Sequence, residues 1–170
     1  FWLDTGLLIT CLLKDVTSLG VKILNNITVK SYQQLKASVD VLTDNFEFNT
    51  KNLILTTNAF TNSLTSIDLK PARSQVLITK PIQNLKIKGT FHLDSGYYYF
   101  RNIYNRILLG GGRNLDFNGE ETLKFGITQQ IQNELEKLLG EVILPNYQFE
   151  IDKRWSGIMG VGSQKKPIIT

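Results

Sequence analysis

Among its 170 residues this chain has one cysteine, Cys11, and one histidine, His92. A lone thiol excludes an internal disulfide and any cysteine-rich zinc site. A lone imidazole excludes the histidine clusters that hold catalytic zinc, so no metal is expected. It also leaves no defensible Ser/His/Asp set, and no catalytic residue is assigned. No apolar run approaches the ~20 residues that a membrane-spanning helix needs. No block of like charge is present: the net charge is +4, and Lys14, Lys22, Lys30, Lys36, Lys51, Lys70, Arg73 and Lys80 are scattered. Nucleic-acid readers concentrate such residues on one face, so no nucleic-acid partner is expected. The opening Phe1-Trp2-Leu3-Asp4 has neither an initiating Met nor a charged leader. It does not read as a signal peptide, and the expectation is a chain cut from a longer one.

What is present is ordinary for a globular protein. Apolar residues make up 42% and charged residues 20%. A chain of this length buries roughly 70% of its unfolded surface, enough for a real core. The cysteine usage fits a cytoplasmic setting.

Residues 6–19 predict a helix with Leu7, Leu8, Cys11, Leu12, Val16 and Leu19 on one stripe, Cys11 buried, and Gly20 as the stop. Short strands follow at Val21–Leu24 and Ile27–Tyr32, and a hairpin is expected around Thr43-Asp44-Asn45. The near-continuous apolar run Asn52–Thr57 predicts a strand buried on both faces. A helical turn and loop are expected over 60–70. Strands at 76–79, 87–91, 97–101 and 106–109 are closely spaced, so they should pair antiparallel, with Tyr104-Asn105 as a turn. Leu123, Ile127, Ile131, Leu135 and Leu138 predict a long helix over 120–139, ending at Gly140. Glu120 and Glu121 would sit solvated at its positive end. A last strand is expected from Tyr147 to Trp155. The fold class is therefore mixed α/β plus α+β: part of a nucleotide-binding α/β layer, then an antiparallel sheet carrying one long helix.

Three features bear on sites. Gly110-Gly111-Gly112 lacks the Lys-Ser/Thr of a phosphate loop and reads as a bulge or a place of close approach. Tyr97-Tyr98-Tyr99-Phe100 alternates, so tyrosine must appear on a face away from the core, either packed under a helix or walling a pocket. His92 lies in a strand and reads as structural.

The order of several loose motifs carries more information than any one of them. Arg154-Trp155-Ser156-Gly157-Ile158, with Pro167-Ile168-Ile169 after it, resembles the Trp-x-Gly…Pro-x-Ile segment of FAD-dependent oxidoreductases of the D-amino acid oxidase/glycine oxidase family. Ile27-Thr28-Val29 is similar to that family's Thr-x-Val strand, Thr57-Asn58-Ala59 to its strand-to-loop segment, Pro71-Ala72-Arg73-Ser74-Gln75 to its entry into the substrate domain, and Tyr98 to Gly112 to its substrate-domain hairpin. The resemblance implies a partial FAD-binding region at 1–70, a substrate domain at 71–158 and a return segment toward the flavin at 159–170. It implies FAD contacts at Val29, Thr57, Asn58, Ala59, Trp155 and Gly157, and a substrate contact at Tyr98. Family members often carry an arginine where this chain has Met159. Arg101 and Arg113 are the cations that would replace it against a substrate carboxylate. Neither the family's N-terminal glycine fingerprint nor its closing flavin loop is in the sequence.

The expected function is thus that of a fragment, inactive by itself, of an enzyme oxidising the C–N bond of an amine or amino acid by hydride transfer to flavin. The alternative is a non-catalytic small-molecule-binding or assembly module. Split sheet edges would favour a homodimer.

Overall fold

The computed structural model describes residues 3–164, Lys166 and Ile168. Pro167 and Ile169 of the terminal motif, and Phe1 and Trp2, lie outside the described residues. The chain separates into two compact units, 1–56 and 57–170.

The first unit holds α1 (Thr5–Ser18) and a three-stranded antiparallel sheet of β1 (Val29–Gln34), β2 (Val39–Thr43) and β3 (Glu47–Thr50). Asp4 caps α1, its carboxylate accepting the Leu7 N–H at 3.0 Å. Gly20, at φ +85°, ends it as expected. The β2–β3 hairpin forms where predicted. Its turn is closed by Thr43, which donates its N–H to the Phe46 carbonyl and accepts the Phe46 N–H on Oγ1. Val39, Val41 and Thr43 alternate inward.

Three expectations fail in this unit. Cys11 is exposed, because α1 buries none of its residues: its apolar stripe has no covering surface within the unit. Val21–Leu24 forms no strand. Asn52–Thr57 forms no strand, with Ile54 81% exposed. A strand buried on both faces needs neighbours on each side, and no described strand borders this one.

The second unit is built on a five-stranded antiparallel sheet in the order β5-β6-β7-β4-β8. The strands are β4 (Lys70–Thr79), β5 (Thr90–Leu93), β6 (Tyr98–Ile103), β7 (Arg106–Gly111) and β8 (Ile151–Val161). A 3-10 turn, Asn58–Ser63, precedes them. Helix α2 (Gln129–Leu138) runs into a π-helical turn, Leu139–Ile143, and covers one face. Between helix and sheet lies the core: Leu77, Tyr98, Phe100, Ile107 and Leu109 from the strands, Ile131, Leu135, Leu139 and Leu144 from the helical side.

β8 begins later and runs further than the sequence suggests, since β4 offers it ten partners, from Lys70 opposite Val161 to Thr79 opposite Ile151. The long helix is cut short at its start. Residues 120–128 are not helical: Gly126 sits at φ +132° and Thr128 is extended as the N-cap. Leu123 and Ile127, expected on the buried stripe, are 39% and 47% exposed. Gly140 does not stop the helix but lies inside the π turn.

Glu120 supplies the reason. Far from being solvated, it is fully buried and accepts a bidentate pair from Arg73, Nε to Oε2 at 3.0 Å and Nη2 to Oε1 at 2.7 Å. Gln75 donates to the same carboxylate at 3.0 Å. The Gln75 side-chain oxygen, Oε1, accepts the Thr128 N–H at 2.9 Å and the Gln132 side-chain amide at 3.2 Å. From Gln132 the network passes to Arg154, at 2.8 Å, and on to Glu136, at 2.6 Å. Glu121 is exposed as expected, paired with Lys70. Glu120→Ala leaves the buried Arg73 guanidinium without its countercharge, with only the Lys124 carbonyl still accepting from it, so it should cost about 3–5 kcal/mol. Leu135→Ala should cost about 2–5 kcal/mol through its cavity. Urea denaturation midpoints check both.

Candidate functional site

Residues directly opposite one another in an antiparallel sheet point to the same side. Leu77, Leu109 and Phe100 face the α2 core, which leaves the residues between them on the far face. One row there runs across all five strands: His92, Tyr99, Gly110, Val76 and Trp155. A second row carries Thr90, Arg101, Leu108, Ile78 and Lys153. Toward the other end lie Ser74 opposite Gly157 and Ala72 opposite Met159.

Gly110 is the reason Tyr99 can lie flat: a Cβ there would come within 2.6 Å of the Tyr99 hydroxyl and 2.7 Å of its ring. The ring reaches over to Ser74, the two hydroxyls 3.3 Å apart. The next glycines serve the turn out of β7, with Gly111 at φ +126° and the Tyr97 carbonyl 2.0 Å from where its Cβ would stand. The glycine run is therefore a place of close approach, as the sequence suggests. At Gly157 a Cβ would meet nothing within 4 Å, so the strip between exposed Trp155 and Met159 is bare and open.

The structure thus brings Arg101, Trp155, Gly157 and Met159 onto one face. Tyr98 is not among them. Its ring is 8% exposed and packed in the core, where burial raises its hydroxyl pKa, with the charges of Glu134 and Asp94 adding to the effect. Tyr99 holds the place on the far face that the sequence reading assigned to Tyr98. Alternation alone showed that one face would present tyrosine. Only register with Gly110 and Trp155 shows which tyrosine. Arg113 also lies apart, in the turn after β7, with its guanidinium carbon 5.1 Å from the Phe117 ring centroid.

Thr57, Asn58 and Ala59 open the 3-10 turn. Thr57 Oγ1 lies 3.0 Å from Thr61 Oγ1, and Ala59 is 2% exposed. Asn58, in left-handed backbone at φ +48°, accepts the Gly160 N–H on Oδ1 at 2.8 Å. That bond joins the turn to β8, next to Met159. Val29 belongs to the other unit, where it opens β1 opposite Thr43. No group of three or more His, Cys, Asp or Glu that could hold a metal occurs among the described residues, and no described helix is long and apolar enough to cross a membrane.

The chain's fold, with an antiparallel sheet covered by a helix on one face, recurs in solved flavoprotein oxidoreductases. L-proline dehydrogenase from P. horikoshii superposes with a TM-score of 0.75 at 20% identity, covering 95% of this chain and 45% of that one. Glycine oxidase from Geobacillus kaustophilus gives 0.72 at 16% identity, covering 89% and 40%. Iminodiacetate oxidase from Chelativorans sp. BNC1 gives 0.69 at 16% identity, covering 93% and 43%. No curated protein matches significantly. The family model for FAD-dependent oxidoreductases (DAO) matches residues 1–170, and the chain belongs to that family. It spans less than half the length of the solved relatives above.

The raised Tyr98 pKa has a measurable consequence. A hydroxyl whose folded pKa exceeds its unfolded value, about 10, contributes stability that is intact below that value and is lost as pH rises through the folded one. Thermal unfolding followed between pH 9 and 12 should show this loss, and Tyr98→Phe should reduce it while keeping the ring in the core.

Proposed function

We propose that this chain supplies the substrate-binding face of an FAD-dependent oxidoreductase that oxidises the C–N bond of an amine or amino acid. The observation that carries the reading is the bare strip at Gly157, bordered by Trp155 and Met159 and lying beside the Thr57–Ala59 turn. With no side chain on Gly157 and open space before it, a flat ring system could approach the sheet backbone closely there. The residues present fit the ring end of FAD through Trp155 and Gly157, with Thr57, Asn58 and Ala59 nearby. Val29 is assigned to the adenine end by resemblance. FAD, when bound, supplies the hydride acceptor.

The chain's own residues bind and orient the substrate. Tyr99 and Trp155 offer aromatic walls, each with a polar group for one hydrogen bond. Met159 cannot pair a carboxylate, so that task is assigned to Arg101, the guanidinium that register places on the same face. Arg113, stacked on Phe117, is left without that role. A neutral amine as the reacting form would need no general base from these residues. We assign the enzyme to the cytoplasm on its cysteine usage, and a homodimer through the outer edges of β1, β3 and β5.

The visible spectrum of the whole protein, before and after anaerobic addition of amines and amino acids, tests the reading. A flavin band bleached by one compound is the expected result, and a well-folded protein without flavin would leave only the binding-module alternative. If a carboxylate-bearing compound bleaches the band, Arg101→Met should weaken its KM by roughly tenfold or more while leaving carboxylate-free amines little changed.

A further inference from the structure

β8 is the last strand of its sheet, so among the described residues the backbone groups on its outer side have no strand to pair with. At one point they are nevertheless paired. Asn58 Oδ1 accepts the Gly160 N–H at 2.8 Å, and Asn58 Nδ2 donates to the Ile158 carbonyl at 3.4 Å. In a strand, the C=O of one residue and the N–H two residues on emerge on the same side. They form the acceptor and donor that a neighbouring strand would use. A carboxamide carries one donor group and one acceptor, as a peptide unit does. The side chain of Asn58 therefore occupies the place of a sixth strand, one residue long.

Two further features fit this role. Asn58 sits at φ +48°, a conformation open to asparagine but unfavourable for most side chains. Gly160 is the residue whose missing side chain makes room: a Cβ there would lie 2.8 Å from both Asn58 Oδ1 and Leu69 Cδ2. A glycine at 58 would suit the backbone but supply no bridge, and an aspartate would supply only the acceptor.

We propose that Asn58 is a positioning residue. Its carboxamide clamps the free edge of β8 on either side of Met159, and so sets where Met159 and the bare strip at Gly157 stand relative to the Thr57–Ala59 turn. The bridge brackets Met159, whose side chain register places on the far face. The positioning role rests on the reading of that face given under Proposed function. By occupying the edge, the clamp also denies it to strands of other chains.

The test uses Asn58→Gly, which keeps the backbone conformation and removes the bridge, and Asn58→Asp, which keeps the acceptor for Gly160. Amide hydrogen exchange at Gly160 should accelerate about fivefold or more in Asn58→Gly and stay near wild type in Asn58→Asp. Unchanged exchange at the α2 core amides controls for folding. In the flavin-loaded whole protein, Asn58→Gly should raise KM about fivefold for the compound that bleaches the flavin, with kcat within about twofold, and Asn58→Asp should recover part of the loss. Unchanged Gly160 exchange in Asn58→Gly would overturn the clamp. Faster exchange with unchanged KM would overturn the positioning role. A wild-type protein that binds no flavin would remove the functional reading and the positioning role with it, while the exchange result would still decide the clamp.

Discussion

The second unit depends on one buried ion pair. Arg73 enters on β4 and Glu120 from the connection after β7, and the two meet beneath the sheet with two hydrogen bonds. Neither charge could stay there alone, because an unpaired ion in that environment costs several kcal/mol. The pair therefore dictates the path of the chain between β7 and α2. It draws Glu120 inward, keeps 120–128 out of helix and, through Gln75, sets the N-cap of α2 at Thr128. Gln132 and Arg154 carry the same network to β8. The long strand bearing Trp155, Gly157 and Met159 is thus tied to the helix through polar contacts as well as by its ladder to β4.

This arrangement divides the sheet. The α2 side takes the aliphatic core and the ion-pair network, while the other side carries Tyr99, Arg101, Trp155 and Met159. Small residues are central to that division. Gly110 lets an aromatic ring lie on the sheet, Gly157 leaves the backbone bare, and Gly160 lets a side chain dock against a strand edge. Each is explained by what would collide with, or be missing from, its own position, and the three answers differ.

Much of the fold was legible in the sequence. The four-strand antiparallel region, the β2–β3 hairpin, the Tyr104-Asn105 turn and α1 follow from period-2 and helical patterns with recognisable turn residues. The failures share a cause. Cys11, the 52–57 run and the start of α2 were read from local apolarity alone, whereas their states depend on partners. α1 has no covering surface within its own unit, 52–57 has no bordering strand among the described residues, and the first turns expected of α2 are overruled by a carboxylate pulled toward Arg73, 47 residues away in sequence. The candidate site was half legible for the same reason. Trp155, Gly157, Met159 and Arg101 were named, but the choice between Tyr98 and Tyr99 turns on a one-residue step in strand register, which moves a side chain from one face to the other.

By itself the sequence determined the family, the antiparallel character of the larger sheet and the absence of a phosphate loop at Gly110–Gly112, because these rest on motif order, strand spacing and residue type. Tertiary structure decided which tyrosine lies on the sheet face opposite α2, that Glu120 is a buried ion and that Asn58 pairs with β8. Those outcomes depend on contacts between residues 25 to 102 positions apart, and no local pattern encodes them.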